Sequence, residues 1–322
     1  MNFEVWNVGE GTPSRLHATD IGLEKELEDW IETDPSLIQH GLEIVGRQFQ
    51  VESGPIDLLA IDPQGRWVVI EIKRGFLTRQ AIAQVIDYSS GLALMSTEEL
   101  AQKANRYLEK RALTVEQLLN ERAAEGALDV EEREILSMVV GLGKSQGLGR
   151  MVEYLASKSN LPISIVTFSA FQLDSGRPIL IRERFEPNED IVSAGTSAGI
   201  MKTVDEICEI ADEAGVGADF RSILQAASDV GLYARPYKTS IMYTHPRRRN
   251  RMLFTVWAQK RDHGIAIYAG PNEFVEFFPL NELEVVEALG LEASGWHGLN
   301  SEEVMQFSNG LRNLLDGLLA ST

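Results

Sequence analysis

The sequence is poor in the residue types that mark several functional classes. Of its 322 residues one is a cysteine, Cys208. A disulfide framework and a cysteine-rich zinc site are therefore excluded, and a reducing cytoplasm is the natural compartment. Histidine is scarce, five in all. No His-rich cluster is visible, which argues against an RNA-splicing type of nuclease built on histidine acid–base chemistry. No apolar run reaches the ~20 residues needed to span a bilayer. The opening MNFEVWNVGEGTPSRLHATD has no basic segment followed by an apolar one, so neither a secretory signal nor a membrane partner is expected. Positive charge is in deficit: 30 Lys and Arg stand against 48 Asp and Glu, a net charge of −18. That argues against a protein that coats polyanions generically. A nucleic-acid enzyme stays open, because a local basic patch and bound cations can serve one site.

What is present is ordinary globular material, 44% hydrophobic and 24% charged. IGLEKELEDWIETDPSLI has a helical stripe of Leu23, Leu27, Trp30 and Ile31, ended by Asp34-Pro35. LEIVGRQFQVE, GPIDLLAID and RWVVIEIKR read as three successive strands, the last two joined by a turn at Pro63-Gln64-Gly65. TRQAIAQVIDYSSGLALM returns to helical periodicity. Helices are expected through the proline-free stretch from about 97, within an insertion extending to about 145. GLGKSQGLG (141–149) lacks phosphate-loop spacing and reads as a hinge into a helix. The strands ISIVTFSAF and PILIRERF follow, joined by a turn at Asp174-Ser175-Gly176. EPNEDIVSAGTSAG reads as a linker. The expected organisation is a first domain at 1–187, a linker at 188–202 and a smaller α/β domain at 203–322, with two glycine-stopped helices, three strands (KTSIMYT, RMLFTVWAQ, GIAIYAG) and two closing helices.

The stretch GPIDLLAIDPQGRWVVIEIKRG poses the chemical question. It ends an apolar run with Glu71 and Lys73, which are costly to bury without partners. Two strands joined by a short turn can bring Asp57 and Glu71 to one face. Lys73, two residues on, points the same way. Paired carboxylates repel unless a cation lies between them, and hard oxygen ligands favour Mg²⁺, with Mn²⁺ as substitute. The lysine can then orient a water or stabilise charge on a phosphate.

The pattern Asp57…Glu71-Ile72-Lys73 resembles the core motif of the PD-(D/E)XK nuclease superfamily, with the proline one place early, at Pro55. The resemblance implies an α/β, restriction-endonuclease-like α-β-β-β-α-β core. Glu24 on the first helix, with Glu26 as its rival, is similar to the acidic helix of RecB-like and NucS/EndoMS-type endonucleases. Gln84 and Tyr88 resemble their Gln-x-x-x-Tyr motif. The likeness runs from about Gly22 to Phe185, with almost no room expected before it for the N-terminal β domain of NucS, so mismatch specificity is not carried over. It implies a Mg²⁺-dependent DNA endonuclease of repair or of defence against foreign DNA. Asp57, Glu71 and Glu24 would be its metal ligands, and Lys73, Gln84 and Tyr88 would complete the catalytic set. The rival is a module that keeps the fold without catalysis.

DNA contact would have to come from local cations. The densest run is HPRRRNR, with Arg247, Arg248, Arg249 and Arg251 expected in a hairpin loop; Arg47, Arg74 and Arg79 lie near the carboxylates. The C-terminal domain is assigned DNA contact, targeting or homodimerisation. His17 reads as a surface residue and Cys208 as core.

Overall fold

The computed structural model describes residues 4–8, 12–19, 24–122, 133–159, 161, 163–173, 178–187, 202–316 and 318. Side chains of Glu24, Lys25, Pro178, Arg249 and Asn250 are outside that description. So are the expected turn at 174–176 and the expected linker, save Lys202. The chain divides into two compact units. The first comprises 1–61, 67–107 and 135–187; the second comprises 62–66, 108–134 and 188–322. The architecture is α/β in both.

The first unit opens with a ribbon of β1 (Trp6–Asn7) and β2 (Ser14–Arg15), then β3 (His17–Thr19), on which His17 is exposed. α1 (Glu24–Thr33) buries Leu27 and Ile31. It stops where expected: the Asp34 side chain accepts from Ser36 N, and Pro35 begins a 3₁₀ turn over Pro35–Leu37. The antiparallel meander β4 (Glu43–Val51), β5 (Gly54–Ile61) and β6 (Trp67–Ile72) comes next, then α2 (Arg79–Leu94) and α3 (Thr97–Leu108). β7 (Ile135–Gly141), α5 (Leu148–Ser159), β8 (Ile163–Gln172) and β9 (Pro178–Phe185) complete the unit, α4 (Val115–Asn120) belonging to the second.

These strands form one sheet in the order β3-β8-β7-β6-β5-β4, with β9 on β8. β6, β7 and β8 run parallel to one another. Two sequence expectations change here. The sequence places ILSMVVG inside a helical insertion, yet it is the strand β7. ISIVTFSAF, expected as the next core strand, lies one position further out. A run of seven residues in which only Ser137 is polar fits a parallel strand covered on both faces. The expected hinge 141–149 is instead stitched to the segment after β6: Leu142 N donates to Gly75 O, Leu77 N to Gly143 O and Ser145 N to Leu77 O.

Alternation divides the meander between two faces. Leu58, Ala60, Val68, Ile70 and Ile72 pack with Leu27 and Ile31 of α1, Met138 and Val140. Asp57, Leu59, Val69 and Glu71 therefore look the other way, where α2 buries Ala81, Ile82, Val85 and Ser89. Ser89 Oγ lies 2.8 Å from Ser137 Oγ of β7.

The second unit holds a five-stranded antiparallel sheet in chain order: β10 (Tyr233–Pro236), β11 (Ser240–His245), β12 (Arg248–Arg261), β13 (Gly264–Ala269) and β14 (Gly295–Leu299). β10 and β14 are not expected from the sequence; both are short and half-buried. α6 (Val204–Glu213) and α7 (Gly217–Asp229) end near Gly215 and Gly231, both at positive φ. α8 (Pro271–Val275), α9 (Glu282–Leu289) and α10 (Ser301–Leu315) follow. Phe220, Phe254, Phe274 and Phe307 fill the core of this unit, where Cys208 is partly buried. Asp62 and Arg66 of the β5–β6 turn also belong to it and form a buried ion pair at 2.7 Å. No helix of the described residues is long and apolar enough to cross a membrane.

Candidate active site

The pairing of β5 with β6 aligns Leu58 with Ile70 and Leu59 with Val69. One step further along the same register sets Asp57 opposite Glu71. The two carboxylates thus share the α2 face at the end of the ladder. There the strands part and Asp57 Oδ2 accepts from Ile72 N at 2.8 Å. Lys73 continues beyond β6, and its Nζ lies 2.5 Å from Glu71 Oε1.

Glu71 is 3% exposed, and its Oε2 is buried without a hydrogen-bond partner. Burial pushes its carboxyl up to about 7; Lys73 opposes the rise and the Asp57 carboxylate reinforces it. A buried carboxylate oxygen with no donor, facing a second carboxylate, is the arrangement that a hard divalent cation completes. By donor chemistry the pair fits such an ion. Among the described residues no group of three or more His, Cys, Asp or Glu is arranged to hold a metal. Glu24 lies on the first turn of α1 with its side chain outside the description, and Glu26 on the same helix is exposed.

α2 brings the next two candidates. Gln84 and Tyr88 are four residues apart on one helical face. Burial raises the Tyr88 phenol, and the nearby carboxylates of Glu71 and Asp57 raise it further; Lys73 and a hydrogen bond with Gln84 act against this. Gly54 permits the approach. Its φ is +135°, and a Cβ there would sit 3.2 Å from Tyr88 Cε1. The structure therefore brings Asp57, Glu71, Lys73, Gln84 and Tyr88 to one place.

The arginines divide differently from expectation. Arg47 is held by three carboxylates of α1: Glu28 at 2.7 Å, Asp29 at 2.7 Å and Glu32. Its charge is committed inside the fold rather than presented to a phosphate. Arg74 and Arg79 are exposed. In the second unit the arginine run is mostly strand, since β12 begins at Arg248 and the turn is only Pro246-Arg247. Arg251 is ion-paired with Glu276 and lies 4.9 Å from the centre of the Phe277 ring, so it too is committed. Arg247 and Arg248 are exposed, the latter 5.8 Å from the same ring centre; the side chain of Arg249 lies outside the description.

Two residues near the carboxylates escape sequence reasoning. Glu28 is 8% exposed on α1, and Gln48 of β4 donates to Asp57 Oδ1 at 3.1 Å. The signal for Glu28 is its place one residue past Leu27, on the inner edge of the stripe. Gln48 carries none.

Comparison with known proteins bears on this segment. Residues 23–136 match the family model of the Endonuclease NucS C-terminal domain. The Endonuclease NucS of Methanocaldococcus jannaschii is 34% identical over 67 residues, 21% of this chain and 26% of that protein. That of Sulfolobus acidocaldarius is 31% identical over 88 residues, 27% of this chain and 33% of that protein. The matches thus span about a quarter to a third of these relatives' length. A solved structure of an EndoMS–dsDNA complex is 21% identical, covering 46% of this chain and 48% of its own at a TM-score of 0.28. The matched segment contains Gln48, Asp57, Glu71, Lys73, Gln84 and Tyr88, and on sequence it is similar to the NucS endonuclease C-terminal domain, as the motif implied.

Proposed function

We propose that this protein hydrolyses phosphodiester bonds in DNA as a metal-dependent endonuclease, in repair or in defence against foreign DNA. The observation that carries the reading is the buried, unpartnered Oε2 of Glu71 opposite Asp57 and beside Lys73. Support comes from the likeness of residues 23–136 to an endonuclease domain. Asp57 and Glu71, with Glu24 in support, would hold Mg²⁺ or Mn²⁺. When bound, the ion supplies Lewis acidity at a phosphate oxygen.

The chain's own groups do the rest. Lys73 orients the attacking water with its ammonium and faces the charge that grows on the phosphate. Water oxygen bonds to phosphorus as the opposite P–O bond breaks; the attacking water gives up a proton to solvent and the leaving oxygen takes one from it. Gln84 and Tyr88, one turn apart on α2, orient the water or the DNA backbone. Exposed Arg74, Arg79, Arg247 and Arg248 supply phosphate contacts.

The test is incubation with linear, nicked, branched and single-stranded DNA, with Mg²⁺ or Mn²⁺ and with chelator, followed by mapping of the ends. Defined cleavage with the ion and none with chelator is expected. No cleavage of any DNA by protein that binds Mg²⁺ would refute the enzymatic reading.

A further inference from the structure

We infer that Gln48 is a positioning residue of this centre: its amide holds the Asp57 carboxylate from the β4 side, and the bent backbone of β4 lets the same amide anchor on Glu28 of α1. The inference rests on the proposed reading of Asp57 and Glu71 as a cation-holding pair.

Register comes first. β4 pairs with β5 through Arg47 with Leu58 and Phe49 with Ile56. Gln48 therefore falls opposite Asp57, as Asp57 falls opposite Glu71 across the next ladder. The three side chains form one row across three strands.

Backbone conformation comes second. Gln48 has φ +47°, one of three non-glycine residues with positive φ among those described. That region is strained for any residue with a Cβ. Were a bend all that the strand needed, glycine would serve with less strain. Gln48 is solvent-exposed, so no packing requirement explains its side chain.

Successive residues of a regular strand face opposite sides. Arg47 faces α1, where it grips Glu28, Asp29 and Glu32. Its successor in a regular strand turns to the opposite face, which is that of Asp57, and Gln48 Nε2 reaches Asp57 Oδ1 at 3.1 Å; the bend lets the same nitrogen also reach Glu28 Oε1 on α1, at 3.3 Å. Both amide hydrogens are thereby used, and both by carboxylates, which fixes the nitrogen inward. Glu28 is itself held by Arg47 Nε at 2.7 Å. The result is a relay from Arg47 through Glu28 and Gln48 to Asp57. Asp57 Oδ2 takes Ile72 N and Oδ1 takes Gln48, so its carboxylate plane is set from two sides, with a second lone pair left on each oxygen. A neutral amide suits this task. It orients the carboxylate without neutralising the charge a cation needs.

Two substitutions in the full chain separate this role from a structural one. Gln48→Gly removes the amide and relieves the strain. Gln48→Met keeps length and strain and removes the donor. Calorimetric titration with Mg²⁺ alone should show both variants weakened about 10- to 100-fold, the usual effect of removing a group that orients a metal ligand. Thermal unfolding without metal should place the Gly variant above the Met variant. Cleavage at saturating Mg²⁺ should fall in kcat for both, with little change in KM for DNA. Wild-type Mg²⁺ affinity in both variants would overturn the assignment and leave the nuclease reading intact. So would affinity that merely follows the unfolding midpoint and returns in the Gly variant. Failure of the wild-type chain to bind Mg²⁺ would overturn both.

Discussion

Glu71 and Arg47 are both half-legible residues, and each leads to a different experiment. Glu71 stands out in the sequence because a charge at the end of an apolar strand needs a reason. The hairpin turn fixes its register against Asp57, because a short turn leaves little freedom of pairing. Asp57→Ala and Lys73→Ala should each lower cleavage by on the order of 10²-fold or more, as loss of an electrostatic stabiliser does, without unfolding the protein. Wild-type rates in these variants would place the chemistry elsewhere. Arg47 is legible as a cation near the site but not as one already paired, since its partners Glu28, Asp29 and Glu32 lie on a separate helix. Arg47→Ala should cost about 1–3 kcal/mol of stability by leaving half-buried carboxylates unpaired. A denaturant titration measures this. The salt dependence of DNA binding should not change, and a flattened slope would return Arg47 to the phosphate-binding set.

At the scale of elements, local pattern carries α1, the meander, α2 and the two glycine-stopped helices. It fails where non-local pairing decides. β7 follows a Glu-rich stretch, and its pairing with β6 joins residues 68 apart, Trp67 with Ile135. Segment 141–145 reads as a glycine-rich hinge until its bonds to 75–77 are seen. The hairpin of β11 and β12 is legible as a basic run, but Arg251 finds Glu276 through the fold alone. This divides the run into testable parts. Arg247→Gln with Arg248→Gln should weaken DNA binding, measured with Ca²⁺ in place of Mg²⁺. The log–log salt slope should fall by roughly 0.9 for each duplex phosphate that these arginines no longer neutralise. Arg251→Gln should instead lower the unfolding midpoint, with the slope kept. The reverse pattern would assign the phosphate-binding role to Arg251.

For the whole molecule, net charge −18 and a site built on carboxylates would make a cation held there a stability matter as well as a catalytic one. A ligand that binds only the folded state at a hundred times its Kd contributes about 2.7 kcal/mol. Mg²⁺ should therefore raise the unfolding transition of the first unit by roughly 5 °C or more, and Glu71→Ala should abolish the rise. An equal rise in that variant would mean that the ion acts on surface charge at large. The first unit is legible because its chemistry sits on consecutive elements. The second unit is legible in part: α6, α7 and its central strands follow local pattern, but the turn at 62–66 and α4 come to it from within the first unit's sequence. The most direct test of the account is the single-turnover rate of DNA cleavage at saturating Mg²⁺, wild type against Glu71→Ala. A loss of 10²-fold or more with DNA affinity retained is expected; equal rates in the two proteins would contradict the assignment of the Asp57–Glu71 pair as the catalytic centre.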